Sequence, residues 1–566
     1  MGADWRAPAD RRTLGDVIEQ CAADHADRTA YVIDETPVTF AESEQRSARV
    51  ANALHSLGVR PGDRVALLVE NCAELVDVFF ACGRLGAIEV AVNTANRGQF
   101  LRHQLDNSDP TVLVVDDNYL DRLPTDAVMP NLRALLVRTT GIEPTPAPDL
   151  GVPVLPAATL QDAEPTIPAL DRRPHFGDPL SIVYTSGTSG PSKGVVISHR
   201  YMINAASVTF TNRGGEAGDV VYSPLPLYHL NAHIITLLGP YMHGATGVLD
   251  RHFSVSRFWQ RVDEVGANHL AILGAQLQLV WNLPPDPKDG QRNLKVLVGA
   301  PISQEMRPRW EERYGLKTSQ GFALSEACPI CSSPAGADTP PGSSGQPVDT
   351  VEVRLFNDDD VEVPTGTVGE ICVRPREPFI IFSGYWRDPV ATTEAWRNGW
   401  FHTGDLGRFD DAGFLTFVDR KKDYLRRRGE NVSSFEVERA LLAHEAVGEA
   451  AAVGVPSELT EDDCLVVVAP RAGMTVDPWD LVHHSVANMP FFAVPRYYAI
   501  VDELPKTPTG KVEKYRLRQD GVPAGAFDLE AQGYRVNRTG LAQFDTATGR
   551  TTEAGHRGTP RAQHEA

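Results

Sequence analysis

The region from residue 62 to residue 93 alternates short apolar runs with a segment of helical periodicity, and this alternation is the strongest constraint on the fold. Residues 65–69 and 88–92 are short apolar runs typical of buried strands. Between them, residues 73–85 carry large apolar side chains at helical spacing. Similar apolar runs lie at residues 111–115, 134–137 and 180–184. Such alternation predicts a layered α/β domain built on parallel sheets.

A change of pattern after Gly413 predicts a second, smaller domain. Ser433 and, three residues later, Glu436 form the capping-box pattern that begins a helix. Residues 450–455, 465–469 and 497–501 look like strands, and residues 479–487 look like a helix. We therefore predict a large domain over residues 1–419, a small α+β domain over residues 420–520, and a polar, loose tail over residues 521–566.

Charge and cysteine content exclude several classes of protein. Acidic residues outnumber basic ones by 74 to 54, so the formal net charge is −20. This field repels nucleic acid and anionic lipid, so a phosphate site must be locally positive. Seven cysteines cannot form a disulfide framework in 566 residues. No signal-peptide core opens the chain, and Pro240 and His243 interrupt its most apolar stretch, so we expect a cytoplasmic protein without a membrane span.

The string YTSGTSGPSKG, residues 184–194, directly follows one of the apolar runs. Its glycines and hydroxyl residues offer a nest of backbone N–H and O–H donors, which is the chemistry that polyphosphate binding requires. Lys193 adds a positive charge. The string differs from the P-loop pattern, because Gly194 follows the lysine where that pattern has serine or threonine. An isolated Gly/Ser stretch would more often be a surface loop, but the complete string favours a phosphate loop.

This string closely resembles the phosphate-loop signature of adenylate-forming enzymes, the family of acyl-CoA synthetases, peptide-synthetase adenylation domains and luciferases. The resemblance extends over residues 12–520, with the motifs in the family's order. Residues 225–232 (LPLYHLNA), 425–434 (LRRRGENVSS) and 527–534 (FDLEAQGY) are most similar to the crotonobetaine/carnitine-CoA ligase type. The resemblance implies an α/β fold, with a large N-terminal domain of layered sheets and helices and a small mobile α+β C-terminal domain.

The resemblance also implies a nucleotide site. The triphosphate would be held by Thr185, Ser186, Gly187, Thr188, Ser189, Gly190 and Lys193, with Thr188 and Glu326 as ligands of Mg²⁺ and as catalytic residues. Adenine would lie against Gly299, Ala300, Pro301, Gly321 and Phe322, with Ala323 beside it, whereas Ser325 would contact the α-phosphate, Asp405 the ribose, and Arg420 ribose and phosphate. The family usually has tyrosine and glycine where this chain has Phe322 and Ala323. Phenylalanine keeps the stacking surface but loses a hydroxyl group.

Three further segments acquire roles from the same resemblance. Lys511 would bridge the substrate carboxylate and the α-phosphate during the first step, where negative charge accumulates. Lys422 would be the hinge about which the small domain turns. The face that then meets coenzyme A would include Arg428, Gly429, Glu430 and Asn431.

The acyl pocket is expected to include His229, Asn231, His233, Ala323 and Cys328. For His229 two alternatives stay open, a gate at the substrate tunnel and a plain core histidine. Cys328 and Cys331 have a redox or zinc spacing, but no second pair of cysteine or histidine ligands lies nearby. We therefore interpret them as buried thiols. The polar character of the pocket favours a small or polar acid over a long-chain fatty acid.

The resemblance implies a two-step ligase that activates a carboxylic acid as acyl-AMP, releases pyrophosphate and transfers the acyl group to coenzyme A. The expected cofactors and partners are ATP, Mg²⁺, coenzyme A and a small-molecule acid. Nucleic acid is not expected as a partner, and a homodimer is left open. Coenzyme A is favoured as acceptor because no carrier domain follows Lys511. The alternatives are transfer to a carrier protein, an amine or another nucleophile, activation of a non-carboxylic acid, and a nucleotide-binding pseudoenzyme.

Overall fold

A computed structural model describes most of the chain, and the described residues fall into two compact units. They are residues 11–94, 96, 98–141, 146–185, 192–272, 275–299, 302, 305–420, 424–427, 430–457, 462–489, 491–507, 511–537, 540–545 and 550–551. The first unit comprises Met1–Thr403 and Gly407–Phe417, and the second comprises Gly404–Leu406 and Val418–Ala566.

The first unit contains two seven-stranded sheets that are mostly parallel. In spatial order, one sheet consists of Val154–Pro156, Ala134–Arg138, Val112–Asp116, Arg64–Leu68, Ile88–Ala91, Pro179–Thr185 and Lys193–Ser198. The other consists of Lys317–Ser319, Val296–Val298, His269–Ala271, Val220–Ser223, Thr246–Leu249, Thr29–Ile33 and Thr36–Thr39. The predicted α/β class is confirmed, because strand runs that are apolar on both faces are buried between helical layers.

The helices of the first unit cover these sheets. They are Leu14–His25, Phe40–Ser56, Ala73–Leu85, Gly98–Ser108, His199–Asn212, Leu230–Ala232, the π-helix His233–Leu238, Gly239–Met242, Phe258–Val265, Ala275–Trp281, Met306–Tyr314 and Pro389–Ala395. Short 3-10 helices lie at Asp117–Arg122, Ala157–Gln161 and Asp289–Gln291. Hydroxyl caps begin several of them; the Ser198 side chain, for example, accepts from the Tyr201 N–H. None of the helices in the described ranges combines the length and the apolar character needed to cross a bilayer.

Two smaller sheets complete the first unit. Gly321–Phe322, Cys331–Ser332 and Gln346–Pro347 form a three-stranded antiparallel sheet. The strands Val351–Phe356, Gly369–Pro375, Trp400–Phe409 and Trp396–Arg397 form a larger one, in which Leu415–Arg420 pairs with Trp400–Phe409. Within the strand Leu415–Arg420, the chain leaves the first unit after Phe417 and enters the second at Val418. The predicted boundary is residue 420.

The second unit is an α+β body around one mixed sheet. The sheet contains Val447–Pro456, Asp462–Pro470, Tyr497–Ile500 and Phe527–Asp528, and the helices are Ser434–Leu442, Pro478–Asn488 and Lys514–Asp520. Tyr424–Arg427 pairs with Glu430–Ser433, and Tyr534–Asn537 pairs with Gly540–Asp545, which pairs with Arg550–Thr551.

The prediction of a loose tail from residue 521 is wrong for the part of it that the structure describes up to residue 537. Phe527–Asp528 adds a strand to the sheet, and Leu529 and Val536 are buried in its core. The Arg496 guanidinium also holds the Asp528 carboxylate at 3.1 Å. Glu530 also pairs with Arg535 at 2.7 Å, so a few buried apolar side chains and several ion pairs order a segment whose average composition is polar.

Candidate functional site

Two antiparallel strands hold the ends of the predicted phosphate loop side by side. Thr185, at the end of Pro179–Thr185, is paired with Lys193, at the start of Lys193–Ser198. The Thr185 hydroxyl also donates to the Lys193 carbonyl at 3.4 Å. The remaining predicted phosphate ligands, Ser186, Gly187, Thr188, Ser189 and Gly190, lie outside the described residues.

Tyr385 joins the loop to the segment that carries Glu326. The Lys193 ammonium lies over the Tyr385 ring, 4.9 Å from its centroid. The Tyr385 hydroxyl donates to Glu326 Oε1 at 2.9 Å. Burial and the neighbouring Glu326 carboxylate raise the pKa of Tyr385 far above its usual value, so the phenol stays protonated and remains a donor. One aromatic side chain thus contacts both a predicted phosphate-binding cation and a predicted metal ligand.

The backbone around Tyr385 fixes this arrangement. Tyr385 forms a β-bridge with Val195, and the Trp386 N–H donates to the Gly194 carbonyl at 2.7 Å. A Cβ atom on Gly194 would lie 2.7 Å from the Ile182 side chain, so glycine permits the close approach. The Glu326 carbonyl accepts from the Phe382 N–H at 2.9 Å. The strand after the loop and the Glu326 segment are therefore held by the same short stretch of chain.

The predicted adenine segment begins at the strand Gly321–Phe322. Phe322 is buried and its ring stacks on Phe417, with 5.9 Å between centroids and 30° between planes. Ala323 is exposed, and the Ser325 carbonyl accepts from the Tyr201 hydroxyl at 3.0 Å. A Cβ atom on Gly321 would lie 2.8 Å from the Cys331 carbonyl oxygen, so this position requires glycine.

The structure describes only some of the other residues predicted to bind nucleotide, form the hinge or meet coenzyme A. Gly299 follows the strand Val296–Val298, and a Cβ atom there would lie 2.6 Å from Ile302. Asp405 is buried on the strand Trp400–Phe409. Arg420 ends its strand, and Glu430 and Asn431 begin another, but their side chains lie outside the described part. Ala300, Pro301, Lys422, Arg428 and Gly429 also lie outside the described residues.

Lys511 is hydrogen-bonded to Thr507 in the second unit. The Thr507 N–H donates to the Lys511 carbonyl at 2.7 Å, and the Lys511 N–H donates to the Thr507 hydroxyl at 3.2 Å. Lys506 and Val512, the next residues outward, form a β-bridge. Lys511 is exposed.

The predicted acyl-pocket histidines occupy different environments. His229 is exposed and its ring lies edge-on to Tyr228, so the core-histidine alternative is wrong. His233 is only 1% exposed, and its Nε2 lies 3.0 Å from the Glu89 carboxylate. These contacts make His233 a core residue, and nothing in its described surroundings supports its predicted place in an acyl pocket.

The two cysteines of the Cys-x-x-Cys pattern have the character predicted for buried thiols. Burial raises the pKa of the Cys328 thiol to about 12 and that of Cys331 further. Both are therefore protonated at neutral pH, a state that suits neither zinc binding nor thiolate chemistry. Cys331 is fully buried, whereas Cys328 keeps part of its surface accessible.

A second group of potential metal ligands lies between two strands of the first unit. Glu370, Cys372 and His402 place one ligand atom each within 4.8 Å of one another, and all three are buried. The Arg397 guanidinium, however, lies 2.7 Å from His402 Nδ1 and 3.4 Å from the Glu370 carboxylate. Because a cation already satisfies these acceptors, we interpret the group as an ion-pair network.

Tyr385 is the residue of this site that the sequence analysis missed. The string GYW at residues 384–386 follows an apolar run and gives no chemical signal of its own. Its role becomes visible only through contacts with residues that are distant in the sequence.

Comparisons with known proteins agree with this geometry. A sequence model described as AMP-binding enzyme matches residues 18–386, and one described as AMP-binding enzyme C-terminal domain matches residues 436–511. A long-chain-fatty-acid–CoA ligase from Escherichia coli O6:H1 is 31% identical over 538 residues, which cover 90% of this chain and 94% of that protein. A crotonobetaine/carnitine–CoA ligase from Salmonella agona is 27% identical over 518 residues, covering 90% and 99%.

Solved structures agree as well. An anthranilate CoA ligase in complex with anthranoyl-AMP superposes with a TM-score of 0.78 at 25% identity, covering 90% of this chain and 97% of that one. The o-succinylbenzoate coenzyme A synthetase of Bacillus subtilis, in complex with ATP and magnesium ion, has a TM-score of 0.77 at 24% identity, covering 90% and 100%. At this identity, the second comparison concerns the fold alone.

Proposed function

Because the chain belongs to the AMP-binding enzyme family, we propose that it is an ATP-dependent acid–thiol ligase that joins a carboxylic acid to coenzyme A. In the first step the acid attacks the α-phosphate of ATP, pyrophosphate leaves, and an acyl-AMP anhydride forms. In the second step the thiol of coenzyme A attacks the acyl carbon, and AMP leaves. The activation is needed because a carboxylate is a poor electrophile.

The observation that carries this proposal is the contact of Tyr385 with both Lys193 and Glu326. It places a cation and a carboxylate at the base of one Gly- and Ser-rich loop, where a Mg²⁺–triphosphate requires both charges. The Glu326 carboxylate is a hard oxygen donor and fits Mg²⁺, with Thr188 as the proposed second ligand. When bound, the ion would offset negative charge on the phosphate oxygens.

The remaining residues orient the reactants in this proposal. Phe322 gives adenine an aromatic surface, and the buried Asp405 carboxylate offers two acceptor oxygens to the ribose hydroxyls. Lys193 offsets charge on the departing phosphates. Lys511 bridges the acid carboxylate and the α-phosphate in the first step and withdraws for the second, with Lys422 as the hinge.

The proposal is tested by pyrophosphate release from purified protein over a panel of acids, with and without coenzyme A. We expect release to require ATP, Mg²⁺ and a suitable acid, and to continue over many turnovers only when coenzyme A accepts the acyl group. Formation of the acyl-CoA is followed by chromatography. Release that is independent of any acid, or no release with any acid, would contradict the proposal.

Tyr385→Phe is expected to lower the turnover number for pyrophosphate release about tenfold, with little change in the KM for ATP. The change removes one hydrogen bond to a carboxylate, which is worth on the order of 1.5–3 kcal/mol. It keeps the aromatic ring under Lys193. Tyr385→Leu also removes the ring, and with it the cation–π contact to Lys193. Such a contact is worth roughly 0.5–1.5 kcal/mol when it is partly exposed to water, so the KM for ATP should rise about two- to tenfold.

Tyr222→Phe is the matched control. The Tyr222 hydroxyl also donates to a carboxylate, that of Asp250, at 2.9 Å, but it lies on the strand Val220–Ser223, in the other seven-stranded sheet from the loop. Steady-state kinetics of the three variants, with thermal unfolding as a measure of folding, separate a positioning role from a structural one. If Tyr385→Phe and Tyr222→Phe have the same effect, Tyr385 has no special role at Glu326.

A further inference from the structure

Asn71 connects the two seven-stranded sheets of the first unit through its side-chain amide. It is 3% exposed and lies shortly after the strand Arg64–Leu68 of one sheet. Its Nδ2 donates to the Leu225 carbonyl at 3.1 Å and to the Asp250 carbonyl at 3.0 Å, and its Oδ1 accepts from the Leu227 N–H at 2.8 Å. The two N–H groups and the oxygen of the amide are therefore all bound to backbone that follows strands of the other sheet.

This asparagine follows the strand on whose two sides the first sheet is built. Arg64–Leu68 pairs with Ile88–Ala91 on one side and with Val112–Asp116 on the other. The chain forms these two neighbours in that order, so the connections at the carboxyl ends of Arg64–Leu68 and Val112–Asp116 run in opposite directions. Such a switch point leaves a crevice, which is where open α/β sheets bind ligands. The Asp116 carboxylate accepts from the Glu70 N–H at 3.0 Å across it.

The backbone that the amide binds lies at the corresponding place in the second sheet. Val220–Ser223 pairs with Thr246–Leu249 on one side and with His269–Ala271 on the other, and the chain again forms these neighbours in that order. Leu225 lies shortly after the first of these strands, and Asp250 directly follows the second. The asparagine thus holds the switch points of the two sheets together.

The segment that Asn71 holds continues into two aromatic side chains. The His229 N–H donates to the Pro226 carbonyl at 3.1 Å and closes a turn. Tyr228 lies within this turn, and its ring is edge-on to that of the exposed His229, with 4.7 Å between centroids. Since the amide binds the residues on both sides of Pro226, it fixes the beginning of the turn and, with it, the position of both rings.

We propose that Asn71 is a positioning residue of the acid site, which holds Tyr228 and His229 in place and so determines which acids the enzyme accepts. This inference rests on the proposed function and on the place predicted for His229 in the acyl pocket. An amide offers two donors and an acceptor without charge, which matches the two carbonyls and the N–H group that it binds. Without it, these buried backbone groups would have to find other partners, and the turn would move.

The test measures pyrophosphate release by Asn71→Ala and Asn71→Ser with the preferred acid of the wild type and with its homologues one methylene group shorter and longer. In Asn71→Ala we expect the KM for the preferred acid to rise about tenfold or more, while the KM for ATP stays within about twofold. Discrimination by one methylene group, which reaches about 10- to 200-fold in a fitted pocket, should fall at least threefold. Asn71→Ser keeps a hydroxyl group and should lose less.

Asn268→Ala is the matched control. Asn268 is also buried, its Nδ2 donates to the Asp219 carboxylate at 2.8 Å, and its Oδ1 accepts from the Val220 N–H at 2.9 Å. It therefore binds the beginning of Val220–Ser223, whereas Asn71 binds the segment after its end. Thermal unfolding should show that both alanine variants are destabilised, but the KM for the acid and the preference among homologues should change only in Asn71→Ala.

His229→Ala tests the same segment from its exposed side, without a change in the core. It should raise the KM for the acid, and Asn71→Ala should then add less than about twofold to that increase, because the two changes act on one contact. An unchanged KM for the acid in His229→Ala would overturn the inference and leave the ligase function intact.

Two other results would also overturn it. One is the same kinetic behaviour in Asn71→Ala and Asn268→Ala. The other is failure of both Asn71 variants to fold when Asn268→Ala folds, since Asn71 would then have a structural role. If no acid releases pyrophosphate from the wild type, the proposed function falls, and this inference falls with it.

Discussion

Lys511→Ala is expected to lower acyl-adenylate formation by about 100- to 1,000-fold, the usual loss when one preorganised charge donor is removed from a transition state. An anionic carboxylate must approach an anionic phosphate, and only a cation between them offsets their repulsion. Thioester formation from supplied acyl-AMP should stay within about threefold of wild type, because in our proposal Lys511 has left the site by then. The two half-reactions are measured separately, as pyrophosphate release and as acyl-CoA formation.

Lys506→Ala provides the control for this experiment. Lys506 lies five positions before Lys511, but its ammonium is held by Glu449 at 2.6 Å. It therefore shares the location of Lys511 in the sequence without a role in catalysis. Equal losses in both half-reactions for Lys511→Ala would contradict the two-step account, and an equally large loss for Lys506→Ala would indicate damage to the local fold.

The layered α/β architecture could be predicted because its signals are local in the sequence. The apolar spacing of residues 73–85 predicts a helix, and the structure has Ala73–Leu85. The apolar run 180–184 predicts a strand, and the structure has Pro179–Thr185. In both cases each element carries its own periodicity, so no knowledge of its neighbours is needed.

The contacts that complete the site could not be predicted in this way. Tyr385 lies 59 positions from Glu326, and His233 lies 144 positions from the Glu89 carboxylate that holds it in the core. Which residues meet across such distances depends on the packing of whole elements, and a motif in the sequence says nothing about the side chains it will meet.

The same limit explains the error in the last part of the chain. Residues after 521 are polar on average, yet Leu529 and Val536 reach the core of the second unit. The average composition of a segment shows how well water solvates it. Whether the segment is ordered depends on whether a few of its side chains are buried in a core. These two buried side chains are joined by ion pairs of Arg496 with Asp528 and of Arg535 with Glu530, which hold the segment in place.

Glu326→Gln is expected to slow pyrophosphate release by about 100-fold or more and to raise the Mg²⁺ concentration needed for half-maximal rate. Glutamine keeps the size of the side chain and an oxygen that can accept from Tyr385, but it lacks the negative charge that attracts the ion. The measurement is a Mg²⁺ titration at saturating ATP. Glu352→Gln, which neutralises an outer carboxylate held by Arg354 and Arg374, should behave as wild type.

The double variant Glu326→Gln with Tyr385→Phe then decides how Tyr385 acts. If the Tyr385 hydroxyl only positions the Glu326 carboxylate, its roughly tenfold effect should shrink to less than about twofold once that carboxylate has gone, because residues in contact are not additive. If the two effects multiply, Tyr385 contributes through another route, such as its ring beneath Lys193. A Glu326→Gln variant with an unchanged Mg²⁺ dependence would show that the metal ligand lies elsewhere, and the site would then have to be reassigned.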